Sequence, residues 1–387
     1  MKRILKRSII VGLVAIFLIA LVIVPHTELN AVHAMIQSDA EYKSAVLIER
    51  SSKTILLEEN AHERLPIASV TKLMTVLLTL ESIDRGEISL DDMVLVSENA
   101  SGLGGSQIFL DADEEYRLSD LLKSVIVASA NDSSVALAEY IAGSENNFVR
   151  LMNERAVELG LNDTNYANCT GLPSAEGYSS AYDQAIVLRE VLGHETYHEF
   201  SSIWFEEFTH PSGRTTQMAN TNKLSRYYEG CIGGKTGSTN QAKYCLAVGA
   251  ERNDMSLISV VLGVENSKAR FKLASDMLNY GFENFESKLL FSDADLADKT
   301  VRVRGMGRQA RLGAEREFTY VGKIGEDVNY SLNYNLPFML NKVDQGQVVG
   351  NVEIVIDGVV VDKINLVSLD THEEAGIWDY FKEIINH

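Results

Sequence analysis

Cysteine, proline and basic residues are all scarce in this chain. Its 387 residues include three cysteines and five prolines. Cys169, Cys231 and Cys245 allow one bridge with a thiol left over, which excludes a disulfide scaffold. None belongs to a Cys-x-x-Cys pair, so the ligands of a zinc ribbon or a dithiol redox site are missing. Lys and Arg number 35 against 54 Asp and Glu, giving a net charge of −19. Nucleic-acid binding needs basic surface, and this balance argues against it. Hydrophobic residues make up 45% and charged residues 23%, a globular composition long enough for two domains.

A long apolar run occurs at the start. Lys2, Arg3, Lys6 and Arg7 precede an apolar and glycine stretch from Ile9 to Val24, Pro25 ends it, and Val32-His33-Ala34 offers small residues for a signal peptidase. Residues 1–34 read as an export signal, with an uncleaved anchor as the alternative. They hold four basic residues and one acidic one, so the remainder carries −22. Such acidity favours solubility outside the cell.

Pro66 to Leu80, P-I-A-S-V-T-K-L-M-T-V-L-L-T-L, organises the rest. Pro66 pushes the preceding residue out of helical conformation. Leu73, Met74, Val76, Leu77, Leu78 and Leu80 make the following helix apolar on nearly every side, and such a helix is buried. Ser69 and Lys72 sit in its first turn, three residues apart and on one face. A serine hydroxyl needs an adjacent base to act as a nucleophile. A lysine supplies one when burial and a neighbouring cation lower its pKa. Unpaired N–H groups at the helix start can then hold an oxyanion. Alone, Ser-x-x-Lys is a weak motif.

Along the chain, Tyr42 to Ile48 and Thr54 to Leu57 read as a hairpin across Ser51-Ser52-Lys53. Gly102 to Gly105 is a loop lining a cleft, without the context of a phosphate cradle. Leu118 to Ser129, Ser133 to Ala142 and Asn147 to Leu159 have helical periodicity. The polar turn Ser129-Ala130-Asn131-Asp132 separates the first two, and taken alone it suits ordinary capping. His194-Glu195-Thr196-Tyr197-His198 matches the zinc-protease pattern His-Glu-x-x-His. Ser201 and Trp204 stand where an extended zinc motif needs Gly and His, and no acidic residue lies between Glu207 and Glu229. The segment therefore reads as a helix end and loop, with no metal. Tyr244 to Ala250 and Leu257 to Val264 read as strands. Before them stands Lys235-Thr236-Gly237-Ser238, a strand whose glycine lets a ligand approach the backbone. Lys235 and Thr236 suit a carboxylate, and the Ser238 N–H can complete an oxyanion hole with that of Ser69. Ala269 to Phe282 is a helix, and Arg270 at its start is a second carboxylate candidate.

From Phe285 to Leu369 the texture becomes short alternating runs: Thr300 to Val303, Phe318 to Val321, Val328 to Asn333, Val348 to Asp357 and Val359 to Val367. They predict a small all-β domain without a catalytic constellation. The tail from Glu373 to His387 is amphipathic, with Ile377, Trp378, Phe381, Ile384 and Ile385 on one face. Its polar face is acidic, which suits docking on the protein as well as an interfacial membrane helix.

Ser69-x-x-Lys72, Ser129-x-Asn131 and Lys235-Thr236-Gly237 in this order form a set shared by β-lactamases and penicillin-binding proteins. With P-I-A-S-V-T-K-L-M-T, S-A-N-D-S-S-V-A-L-A-E, N-T-N-K-L, G-G-K-T-G-S-T, K-A-R-F and D-Q-G-Q-V-V-G-N-V, nearly the whole chain after residue 34 resembles a low-molecular-mass penicillin-binding protein, a serine-type D-alanyl-D-alanine carboxypeptidase. The resemblance implies an α/β (α+β) catalytic fold of the β-lactamase/transpeptidase type over 35–284, an antiparallel sheet flanked by helices. A small β domain would span 285–370 and an amphipathic helix 371–387. It implies Ser69 as nucleophile, Lys72 as base, Ser129 as proton relay, and Asn131 orienting Lys72 and the substrate amide. Lys235, Thr236 and Arg270 would bind the terminal carboxylate, with Gly237 and Ser238 completing the site. Peptidoglycan stem peptides are the implied substrate, β-lactams the inhibitors, and no cofactor is required. The implied place is the outer face of the cell membrane or the wall. A β-lactamase would carry Asp where Ala130 stands and a glutamate loop before Lys235; Glu176 lies in a candidate loop, but G-L-P-S-A-E-G-Y follows the carboxypeptidase pattern. An endopeptidase would use the same residues. A non-enzymatic β-lactam sensor would not need the intact set.

Overall fold

The computed structural model describes residues 41–305, 307–374 and 376. The expected export segment and most of the expected tail helix (375 and 377–387) lie outside the described residues. Among those described, no helix is long and apolar enough to cross a membrane.

Strands β1 (Ser44–Glu49) and β2 (Ile55–Glu59) form the expected hairpin. The Glu49 carboxylate clasps its turn, accepting from the N–H groups of Ser51 and Ser52 at 3.0 and 2.7 Å. Two small ladders follow later, β3 (Met93–Leu95) with β4 (Glu115–Arg117) and β5 (Phe205–Thr209) with β6 (Thr215–Ala219). Strands β7 (Cys231–Thr239), β8 (Lys243–Arg252) and β9 (Met255–Val264) run as a meander and return to β1. The order is β2-β1-β9-β8-β7, antiparallel throughout. The first two strands of the chain thus join the last three of this sheet, and β7 is left at an edge.

Both faces are covered. Side chains alternate along a strand, and β1 shows the division. Val46 and Ile48 join the core of the helical body, while Ala45 and Leu47 join the core beneath the last helix. In chain order the helices longer than one turn are α1 (Lys72–Asp84), α2 (Leu118–Val127), α3 (Asn131–Ala142), α4 (Glu145–Glu158), α5 (Ala181–Val191), α6 (Glu195–Ser201) and α7 (Ser267–Asn284). Helix α1 is buried at every position from Lys72 to Leu80, as an all-round apolar helix must be. Helix α7 closes the opposite face with Leu273, Ala274, Met277 and Leu278. Its Gly281 permits close contact, since a Cβ there would come within 2.5 Å of the Leu257 side chain.

After α7 come β10 (Phe285–Phe291), β11 (Thr300–Arg302), β12 (Gln309–Ala314), β13 (Phe318–Lys323), β14 (Tyr330–Asn335), β15 (Val348–Ile356) and β16 (Val359–Ser368). Five of them make a sheet in the order β11-β12-β16-β15-β14, and β10 pairs with β13. Val301, Leu312, Val352, Ile354, Ile364 and Leu366 fill its separate core. The all-β expectation therefore agrees with the strands observed.

Some local expectations need correction. Ser69 lies in a 3-10 turn, Ala68–Thr71, and the α-helix proper begins at Lys72. Tighter winding eclipses residues three apart, so the two side chains still share a face. The segment His194 to His198 begins a helix rather than ending one, because His194 is the cap residue and Tyr197 and Phe200 anchor the turns that follow. Strands β5, β6, β10 and β12 were not legible. In β5 and β6 only Phe208 and Met218 are buried, too little alternation to register.

Leu77 is fully buried at the centre of α1. Leu77→Ala is expected to cost about 2–5 kcal/mol through lost burial and the cavity left behind. Urea unfolding of the two proteins measures this; an unchanged midpoint would mean that α1 is not part of the cooperative core.

Candidate active site

Three segments meet at one end of β7. The first is the serine turn. Ala68 takes a left-handed conformation, φ +49, and directs the chain into the turn bearing Ser69. Ser69 is half-buried and Lys72, one turn later, has 0% exposure. The Lys72 Nζ lies 3.1 Å from Ser69 Oγ, 2.6 Å from Asn131 Oδ1 and 2.6 Å from the Thr170 carbonyl oxygen.

The second is the turn between α2 and α3. Ser129 also has positive φ, +64, and is buried. Its Oγ has no hydrogen-bond partner among the described residues. A buried hydroxyl without a partner is costly, and this one is ready to accept or donate when a substrate enters. Asn131 is fixed at both ends, because its Nδ2 donates to the Gly104 carbonyl at 2.7 Å while Oδ1 faces Lys72. Next to it, the buried Asp132 carboxylate accepts from the N–H groups of Ile108 and Leu110, both at 3.1 Å. Those bonds dock the segment after the glycine-rich loop onto the start of α3, as does the 2.7 Å bond from Asn131 N–H to the Ser106 carbonyl. Burial nevertheless raises the Asp132 pKa.

The third is β7 itself. A Cβ on Gly237 would come within 2.5 Å of the Ile67 carbonyl oxygen and 3.0 Å of the amide nitrogens of Ser69 and Val70. Only glycine lets the edge strand lie this close to the serine turn. Lys235 is 2% exposed and Thr236 is buried, whereas Ser238 is exposed at the rim. The Arg270 guanidinium donates to the carbonyls of Gly237 and Cys245 at 3.0 and 3.2 Å, beneath the Lys-Thr-Gly backbone. It lies over the rings of Phe271 and Tyr244, 4.8 and 5.4 Å from their centroids.

Every candidate residue therefore converges here: Ser69, Lys72, Ser129, Asn131, Lys235, Thr236, Gly237, Ser238 and Arg270. The electrostatics are those of an anion pocket. Neither Lys235 nor Arg270 forms an ion pair among the described residues. Burial pulls the Lys72 pKa down to about 7. Lys235 falls well below the usual lysine range through burial first, then through the charges of Lys72 and Arg270. For Lys72, burial and not the neighbouring cation is thus the leading cause. A neutral amine has two N–H groups and one lone pair. Here two N–H groups face Asn131 Oδ1 and Thr170 O, leaving the lone pair for the Ser69 hydroxyl.

The carbonyls of Thr170 and Gly104 and the carboxylate of Asp132 were not foreseen. Backbone acceptors leave no trace in residue identity, and Asp132 looked like a cap. Gly171 was equally silent, though its φ is +77 and a Cβ would overlap the Ala68 carbonyl at 1.9 Å. Elsewhere, His198 sits between the carbonyls of Leu192 and Ile232, and His194 bonds Asp84. Among the described residues no group of three or more metal-binding side chains is assembled. Glu176 is exposed, and its backbone carbonyl accepts from Asn165.

Residues 30–266 match the family model described as D-alanyl-D-alanine carboxypeptidase. The chain belongs to that family. Residues 285–374 match a second model, the C-terminal domain of penicillin-binding protein 5. Among similar proteins, D-alanyl-D-alanine carboxypeptidase DacF of Bacillus subtilis (strain 168) is 37% identical over 347 residues, 88% of each chain. D-alanyl-D-alanine carboxypeptidase DacC of Escherichia coli (strain K12) is 32% identical over 390 residues, covering 97% of this chain and 95% of that one. The crystal structure of penicillin binding protein 5 from Haemophilus influenzae superposes with a TM-score of 0.73 at 32% identity, covering 87% of this chain and 98% of that one. As a carboxypeptidase of this family the protein is a hydrolase, with the α+β catalytic fold expected from its motifs.

The lowered Lys72 pKa gives the pH dependence a sign. Only the neutral amine accepts the serine proton, and it prevails above about 7. Acylation by a β-lactam should therefore fall about tenfold per pH unit below that point. Stopped-flow acylation rates from pH 5 to 9 test this, and a flat profile would exclude Lys72 as the titrating base.

Proposed function

We propose that Ser69, Lys72 and Ser129 carry out the D-alanyl-D-alanine carboxypeptidase reaction of this family, removing the terminal D-alanine of peptidoglycan stem peptides. The observation that carries this reading is the Lys72 amine, buried and held by Asn131 and Thr170 with Ser69 Oγ 3.1 Å away. Among the described residues the Lys-Thr-Gly edge strand pairs with β8 alone, and an extended peptide suits its other side. A peptide laid along it places its terminal carboxylate near Lys235, Thr236 and Arg270, in a pocket of positive charge. The penultimate carbonyl then falls between the N–H groups of Ser69 and Ser238.

Ser69 Oγ attacks that carbonyl carbon as its proton passes to Lys72 Nζ. The tetrahedral oxyanion rests on the two backbone N–H groups. The C–N bond breaks as the leaving D-alanine nitrogen takes a proton through Ser129, whose hydroxyl has no other partner among the described residues. Lys72 returns to its neutral form by resupplying that proton. Water then attacks the acyl-serine as its proton passes to Lys72, the ester C–O bond breaks, and Lys72 returns that proton to Ser69 Oγ, releasing the shortened peptide. Asn131 positions Lys72 and can offer its amide to the substrate. A β-lactam presents an amide and a carboxylate to the same groups and acylates Ser69.

The same reading divides the chain into an export signal or anchor at 1–34, a catalytic domain at 35–284, a β domain at 285–370 and an amphipathic segment at 371–387. It places the enzyme at the outer face of the cell membrane, with the last segment contacting the lipid surface.

The direct experiment is D-alanine release from a pentapeptide ending in D-Ala-D-Ala. Release is expected, abolished by benzylpenicillin and by Ser69→Ala, with the variant retaining its circular dichroism and unfolding midpoint. Turnover of penicillin without D-alanine release would instead mean a β-lactamase. Ser129→Ala should lower kcat by about 10²–10⁴ while Ser69 is still labelled by penicillin; an unchanged kcat would remove Ser129 from the proton path.

A further inference from the structure

One end of the β domain gathers four basic side chains, with Asp344, Glu373 and Glu374 at its margin. Segment 300–310 contains Arg302, Arg304 and Arg308, and segment 335–343 contains Lys342; neither holds an acidic residue, although the chain has 54. The two segments are neighbours. Val303 bridges Leu340, the Leu340 N–H donates to Arg302 O at 2.9 Å, and the Arg304 N–H donates to Leu340 O at 2.8 Å. At the outer end of the second segment, Phe338 is 82% exposed and Met339 49%. The Arg302 guanidinium lies 5.7 Å from the Phe338 ring centroid.

The chain also leaves the β domain here. Val343 and His372 exchange backbone hydrogen bonds at 2.9 and 2.8 Å, and Arg308 donates to the Glu373 carbonyl at 3.3 Å. The sequence then runs into Ile377, Trp378, Phe381, Ile384 and Ile385. An aromatic ring held in water among cations, beside the origin of an amphipathic segment, has the chemistry of a bilayer interface. The ring suits the boundary of the acyl chains, and arginine and lysine suit anionic headgroups. A second copy of this chain would bring four like charges against four, which disfavours self-association through this face.

We propose that the loops carrying Arg302, Arg304, Arg308, Lys342, Phe338 and Met339 form a docking surface for an anionic phospholipid bilayer, with Phe338 entering the interface. The proposal rests on the membrane contact assigned above to the last segment, and adds a second contact point. Two contacts fix an orientation where one tether does not. Elsewhere the acidic surface of the enzyme is repelled by the same lipids, which keeps this end down.

The test reads position 338 separately from the tail. In the full chain, Phe338→Trp is combined with Trp378→Phe, and the Trp204 signal is subtracted with Trp378→Phe alone. Vesicles contain phosphatidylglycerol and brominated phosphatidylcholine. The indole introduced at position 338 is expected to shift its emission to the blue and to be quenched at least twofold, but not on vesicles of phosphatidylcholine alone. Met339→Trp serves as a second reporter, and unchanged D-alanine release verifies folding of each. Combined Arg302→Gln, Arg304→Gln and Arg308→Gln should weaken binding to anionic vesicles at least tenfold with the same D-alanine release. Unquenched reporters on vesicle-bound protein, with Trp378 of the parent quenched, would show that the tail docks alone and overturn the proposal. If neither position is quenched, the proposal and the membrane part of the functional reading both fail. A self-complex by sedimentation that buries position 338 without lipid would assign the face to a second copy and also overturn it.

Discussion

The buried Lys72 amine is the constraint on which the rest of the site depends. A charged ammonium removed from water is expensive, and a group in that position gives up its proton instead. Burial of the whole first half of α1 imposes this. The socket then decides what the neutral amine does. Asn131 and the Thr170 carbonyl occupy its two hydrogens, and Ser69 is the remaining neighbour. Each partner comes from a different segment, so the chemistry exists only when the serine turn, the start of α3 and the loop before α5 are packed together. The bonds of Asp132 to the 108–110 backbone and of Asn131 to Gly104 extend the same assembly to the glycine-rich loop.

Backbone proximity is the second device. The Lys-Thr-Gly strand approaches the serine turn so closely that no side chain fits at Gly237, and Gly171 presses on the Ala68 carbonyl of the same turn. Two glycines thereby clamp the peptide units around Ser69. This is preorganisation of N–H groups whose direction must be right before any charge develops. A free-edge strand is usually a liability for aggregation. Here the Lys-Thr-Gly edge strand is short of apolar side chains.

The distribution of charge links the two domains to their surroundings. The chain is strongly acidic. Two of its groups of basic side chains differ in setting: the buried Lys72, Lys235 and Arg270 of the site, and the exposed Arg302, Arg304 and Lys342 with the half-buried Arg308 at the exit end of the β domain. The first set is desolvated and lies around the serine turn and the Lys-Thr-Gly strand. The second is solvated, acts within a screening length and suits an extended anionic surface.

Ser69, Lys72 and the Lys-Thr-Gly strand were legible as candidates in the sequence, because each is a short local pattern: a three-residue spacing on one helical face, or a glycine within a strand. The sequence by itself also determined the change of texture near Phe285, since alternation of period two is written in the order of residues. It did not determine the partners of those groups. The Thr170 and Gly104 carbonyls belong to backbone that any residue supplies, and Asp132 shows the same composition whether it caps a helix or ties down a loop 22 residues away. The 3-10 turn at Ser69, the short strands with one buried residue each, and the leading role of burial in lowering the Lys72 pKa were likewise decided by packing. Only the tertiary structure brings Lys72 within hydrogen-bonding distance of Asn131 and of Thr170, 59 and 98 residues away, and only that proximity turns three motifs into one site.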